Sequence, residues 1–223
     1  MKPAASLLFV AAAIAACGKN EPEPTTPDKA DATSGVDAAD DVSTPSPVDG
    51  GSDASVPGCK GASCERAVFV TSASFAGIGL QTADTQCNAA AQASSLPRIK
   101  GRSFKAWIST KAETAAQRVP HSTLRYLKVL ATGDVETVAP NWDGLVSGAL
   151  TSAIDRTETG AVIADPLVWT GTLPNGDRAT LNCEDWASGG SGRVGDATKT
   201  DIRWTSSMND DCANAHHIYC FEE

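Results

Sequence analysis

The stretch W-T-S-S-M-N-D-D-C-A-N-A-H-H-I-Y-C-F, Trp204 to Phe221, holds two cysteines separated by a polar segment and closes on an aromatic run. The I-Y-C-F end combines β-branched and aromatic side chains that fit a pleated, half-buried surface, so it reads as a strand. Upstream, M-N-D-D-C, Met208 to Cys212, puts an amide and two carboxylates directly before a cysteine. Those oxygens suit a calcium site, which wants six to eight hard ligands. They equally suit a polar loop whose Asn and Asp bond back to their own backbone and whose task is to carry a disulfide. Cys212, His216, His217 and Cys220 have the residue types of a zinc site. Adjacent histidines leading into a strand point to opposite faces, which argues against that set.

Whether the cysteines are bridged depends on where the chain travels. The first residues, M-K-P-A-A-S-L-L-F-V-A-A-A-I-A-A-C, carry one base and then an uncharged apolar run up to Cys17. That run is too short for a membrane span and has the form of an export signal over residues 1–16. Its ending, I-A-A-C, resembles the lipobox of bacterial lipoproteins, which implies cleavage before Cys17 and a lipid on Cys17. The resemblance also implies attachment to the membrane of a bacterial cell envelope through that lipid, with Gly18 after the anchor pointing to the outer membrane. Residues 17–58 then form the tether, whose Gly18–Gly58 portion is rich in Pro, Asp, Ser and Thr, lacks aromatic residues, and carries nine acidic side chains against Lys19 and Lys29. Such a segment cannot bury enough apolar surface to offset the entropy of ordering. Its like charges extend it, and most of the formal net charge of −9 belongs to it.

Residues 59–223 hold all five Trp and six of the seven Cys and read as one folded domain. Their mild charge balance gives no footprint for nucleic acid. In an oxidising compartment six cysteines imply disulfides. The short C-K-G-A-S-C unit reads as a local loop closed by Cys59 and Cys64, and the partners of Cys87, Cys183, Cys212 and Cys220 stay open at this point. R-A-V-F-V-T, Arg66 to Thr71, reads as a strand. Thr82 is placed to cap a helix with Ala83, Cys87, Ala90 and Ala91 on one face, and that stripe ends at Ser94. F-K-A-W-I-S-T, Phe104 to Thr110, alternates as a strand with Phe104, Ala106 and Ile108 on one face and Lys105 and Trp107 on the other. A second helix is predicted from Asn141 to Ile154 despite two glycines. V-W-T-G-T, D-I-R-W-T and H-I-Y-C-F add three short extended runs. Few helices, short strands and long loops make an α+β domain.

In order, Cys87, F-K-A-W-I-S-T, V-W-T-G-T-L-P-N-G-D, N-C-E-D-W, R-W and I-Y-C-F-E resemble the C-type lectin-like superfamily over nearly all of residues 66–223. Within it the likeness is to endostatin-like domains, the collagen NC10 type, and to related bacterial lipoprotein domains of unknown function. The resemblance implies short helices packed on twisted antiparallel sheets, a long loop region, and the pairings Cys87–Cys220 and Cys183–Cys212. It also implies that the excursion from Trp169 to Trp204 is the binding surface. In calcium-dependent members, turns matching Leu173-Pro174-Asn175 and Met208-Asn209-Asp210 supply ligands to metal and sugar. Here Asn175, Asp177, Glu184, Asn209 and Asp210 are the candidates for calcium, with Leu173 standing where that pattern has glutamate. The endostatin branch needs no such site, and no other cofactor is implied.

Among the tryptophans, Trp107, Trp169 and Trp204 read as core and Trp186, beside A-S-G-G-S-G, as the candidate stacking platform. Lys105 and Trp107 are candidates for ligand contact, with Arg98, Lys100, Arg102 and Lys111 completing a basic patch for anionic glycans. The chain contains no G-x-S-x-G, H-E-x-x-H or Walker motif. The expectation is a lipid-anchored, extracytoplasmic binding or adhesion module for an unidentified protein or glycan, without catalysis. A calcium-dependent lectin and a structural envelope protein are the alternatives, and a hydrolase is the weakest.

Overall fold

A computed structural model describes residues 64–223. The expected signal, the lipid site Cys17, the expected tether and the expected Cys59–Cys64 bridge fall outside the described residues. Nine strands form one sheet: β1 Arg66–Val70, β2 Phe75–Ala76, β3 Phe104–Ala106, β4 Tyr126–Val129, β5 Val135–Ala139, β6 Leu167–Trp169, β7 Ser191–Asp196, β8 Met208–Asp211 and β9 Ala215–Glu222. The main order is β5-β4-β1-β9-β6-β7-β8, with β2 and β3 also paired to β9. The short helices are α1 Ala83–Ala93, α2 Ala115–Arg118, α3 Trp142–Val146 and α4 Cys183–Trp186. This is an α+β fold, but its sheet is mixed, not purely antiparallel: β1 runs parallel to β4 and β6 parallel to β9. The long excursions between these pairs return the chain to the same end of the sheet, which is what a parallel connection requires.

The strand β9, which contains I-Y-C-F, is the hub of this sheet. It pairs antiparallel with β1, placing Phe69 opposite Cys220, and bonds with β2, β3 and β6 along its length. Both faces are covered. Ala67, Phe69, Ile218 and Cys220 point into one apolar core, whereas Val68, Val70, Tyr219 and Phe221 point into a second. A strand buried on both sides reads as a continuous apolar run, which is why R-A-V-F-V shows no polar alternation. Phe104, Ala106 and Ile108 enter the first core and Trp107 the second, as the alternation predicts.

The helix α1 lies on the first core through Ala83, Cys87 and Ala91 and stops at Ser94, as the apolar stripe predicts. Thr82 does not cap it through its side chain, because a 3₁₀ turn, Leu80–Thr82, precedes the helix and the Thr82 hydroxyl donates back to the Gly79 carbonyl. Cys87–Cys220 ties α1 to β9, and Cys183–Cys212 ties α4 to the segment leaving β8. Their sequence separations of 133 and 29 residues make each worth roughly 3–5 kcal/mol in the loop-entropy account.

Two predicted elements differ. The helix from Asn141 ends at Val146, since Gly148 takes a left-handed φ of 82° that a continuing α-helix does not contain. D-I-R-W-T is not extended: Asp201 accepts from the Arg203 N–H and starts a 3₁₀ turn, Ile202–Trp204. No helix among the described residues is long and apolar enough to cross a membrane.

Candidate functional site

The excursion from Trp169 to Trp204 contains an unusual piece of backbone. Cys183, Glu184, Asp185 and Trp186 have φ of 54°, 49°, 69° and 62°, so α4 is a left-handed helical turn made without glycine. An L-residue there costs about 1–2 kcal/mol, because Cβ crowds the following carbonyl. Both ends are held. Cys183 is bridged to Cys212, and Trp186 is fully buried with its indole N–H donating to the Ser109 carbonyl at 2.9 Å. Inside the turn, the Trp186 N–H reaches the Asn182 carbonyl and the Asn182 side chain accepts from the Asp185 N–H. The Asp185 carboxylate accepts from the Lys111 N–H at 2.6 Å. Gly171 makes room, since a Cβ there would lie 2.6 Å from the Trp186 ring.

This geometry corrects one expectation directly. Trp186 is a core residue, not an exposed platform. Trp107 is also buried, with its N–H donating to Thr205 Oγ1 at 2.8 Å. Lys105 pairs with Asp84 at 3.3 Å and Glu223 at 3.6 Å, Arg102 with Glu222, and Arg98 with Glu65. The basic side chains of this region are therefore largely neutralised in place, and they do not form an open cationic surface.

The candidate calcium residues occupy three separate local structures. Asn175 and Asp177 close a turn on each other, the Asn175 Nδ2 donating to Asp177 Oδ2 at 2.7 Å. Glu184 accepts from the Ser188 hydroxyl. Asn209 lies in β8 opposite Arg193. Asp210 is saturated: it accepts from Asn214 Nδ2, from the Asp211 N–H, and from His216 Nε2 at 2.6 Å. The His216 hydrogen bond is the main reason its carboxyl is held below the usual range. No group of three His, Cys, Asp or Glu side chains among the described residues is arranged to hold a metal ion. M-N-D-D-C is thus an edge strand and turn, whose carboxylate orients a histidine packed 4.8 Å from the Trp169 ring and leads into a bridged cysteine.

Among the tryptophans, Trp142 is the one left partly open, and its sequence context alone did not single it out. It sits at the first turn of α3, where Asn141 Oδ1 accepts from the Gly144 N–H at 2.8 Å. The indole leans on Trp107, with ring centroids 6.1 Å apart, and stacks on His121 at 3.7 Å and 12°. His121 is exposed, and its Nε2 lies 2.7 Å from the Ala116 carbonyl. A carbonyl only accepts, so Nε2 carries a proton, and in that tautomer Nδ1 is the acceptor. These two rings, with Ser122, Thr123, Asn141 and Asp143, line a pocket of about 270 Å³. The P-N-W-D stretch held part of the signal: an Asn cap places the tryptophan on the first turn of a helix.

The remaining histidines are tied down as well, His216 to Asp210 and His217 Nδ1 to the Thr71 carbonyl at 2.7 Å. Compared with known proteins, the chain matches no family model and resembles no curated protein at a significant level, so the functional argument rests on this geometry.

Proposed function

We propose that the chain is an extracytoplasmic binding or adhesion module, displayed on a lipid-anchored acidic tether and acting without catalysis on an envelope, protein or glycan ligand. The observation that carries this reading is the His121–Trp142 pair: two stacked rings lining a surface pocket edged by polar groups. Aromatic side chains held rigid by their neighbours give large contact area at little entropic cost, as recognition surfaces require. A C-type lectin-like scaffold belongs to the same proposal. It is supported by the two bridges that the resemblance implies and by the central last strand.

The test is co-sedimentation of the full chain with isolated bacterial envelope fractions, with the fractions analysed afterwards for released products. Saturable retention without turnover is expected. Release of a new product in proportion to protein and time refutes the non-catalytic reading, and absence of retention on every fraction refutes the binding reading.

A further inference from the structure

We infer that the pocket at His121, Asn141, Trp142 and Asp143 receives a single neutral pyranose ring. This rests on the binding-module reading and names its ligand class. The volume of about 270 Å³ falls just under the roughly 300–1,000 Å³ of small-molecule sites, room for one ring and not for an extended chain. The wall is aromatic. Trp142 covers one face of the exposed His121 ring, so the opposite imidazole face and the indole edge meet the solvent and pack against the C–H face of a sugar.

The rim supplies the complement to hydroxyl groups, which both donate and accept. Among the described residues the Asp143 carboxylate has no hydrogen bond or ion pair, although each other carboxylate discussed above is engaged. Asn141 spends its oxygen on the Gly144 N–H and keeps its Nδ2 donors. With His121 Nδ1, these groups offer acceptors and a donor around one aromatic wall. The charge decides between ligands. A carboxylate engaged in no ion pair repels uronic acids, sialic acids and phosphates, while it accepts strongly from neutral hydroxyls. A quaternary ammonium ion would need open ring faces around it, and here one indole face is covered by His121.

The experiment is a titration of the isotopically labelled full chain with the methyl glycosides of glucose, galactose, mannose and N-acetylglucosamine. Shifts of the Trp142 indole N–H and His121 ring signals report binding. At least one glycoside should shift both signals saturably, and Asp143→Ala and His121→Ala should each weaken that affinity about tenfold or more. The thermal midpoint of Asp143→Ala should fall by no more than about 4 °C, because Asp143 is exposed and unpaired and contributes only to the first turn of α3. The inference is overturned if no glycoside moves either signal, if a tetramethylammonium probe moves them instead, or if both variants bind like wild type. Envelope retention that survives Asp143→Ala and His121→Ala unchanged removes the pocket from the account and leaves the binding module standing. Loss of all retention in the wild type removes both.

Discussion

The left-handed turn at Cys183–Trp186 allows its backbone cost to be isolated by comparing two variants at one position. Glu184 has φ 49° and ψ 51°, and its exposed side chain contacts Ser188. Glu184→Ala and Glu184→Gly both delete that contact, so the difference between them reports the backbone alone. An L-residue in this region costs about 1–2 kcal/mol that glycine does not. Against this, glycine frees the unfolded chain and forfeits about 0.4–1 kcal/mol. The glycine variant should therefore be the more stable of the two by about 0.5–1 kcal/mol, or roughly 1–4 °C in Tm for a domain of this size. The sign is the decisive feature, because at ordinary helical or extended positions alanine wins by roughly 0.5–1 kcal/mol. Urea unfolding of the oxidised full chain measures it. An alanine variant equal to or more stable than the glycine variant would refute the left-handed assignment and the strain argument with it.

Three further outcomes follow from the packing. Burial pushes the Tyr126 hydroxyl up to about 12 and the fully buried Tyr219 hydroxyl well above the usual value near 10, so neither of the two tyrosines should ionise in a native titration near pH 10–11, followed by tyrosinate absorbance. Since these folded-state values are raised, their contribution to stability is complete below about pH 10 and is lost as pH rises through the folded values. Asp210 has the opposite sign: its depressed carboxyl contributes stability that is complete above the unfolded value of about 3.9 and is lost as pH falls through the folded one. Asp210→Asn should accordingly flatten the decline of the urea midpoint on acidification below about pH 4, and an unchanged slope would count against the His216–Asp210 bond. Lys128 is 4 % exposed, with its ammonium 2.9 Å from the Ala153 carbonyl, 2.9 Å from Asp155 and 3.3 Å from Glu136. Three donors meet three acceptors, so Lys128→Met should cost about 2 kcal/mol, less than a fully enclosed pair because the two carboxylates are partly wet; a variant as stable as wild type would contradict this.

What was legible in the sequence was whatever depended on local pattern. Alternation assigned Phe104, Ala106 and Ile108 to one core and Trp107 to the other, and the α1 stripe gave its end at Ser94. The parallel pairs β1–β4 and β6–β9 were not legible, because parallel and antiparallel neighbours use the same side chains and differ only in how the distant chain returns. D-I-R-W-T looked extended from its composition, but an Asp at its head bonds the backbone two residues on and curls it. The glycine-rich flank of Trp186 suggested exposure, whereas Gly171 elsewhere in the excursion leaves the space that buries it. Trp142 was not legible as the open tryptophan because exposure depends on tertiary neighbours: Trp186, also on a helix of one turn, is fully buried.

The account rests on the chain binding an envelope component through the His121–Trp142 surface, and the most direct measurement is a binding isotherm of the full chain on isolated envelope fractions. Each fraction is tested untreated, after periodate oxidation of its sugars, and after protease digestion. The account predicts saturable binding that periodate abolishes, protease spares and Asp143→Ala weakens about tenfold. Saturable binding that protease destroys and periodate spares would contradict the sugar assignment, and no saturable binding to any fraction would contradict the central claim.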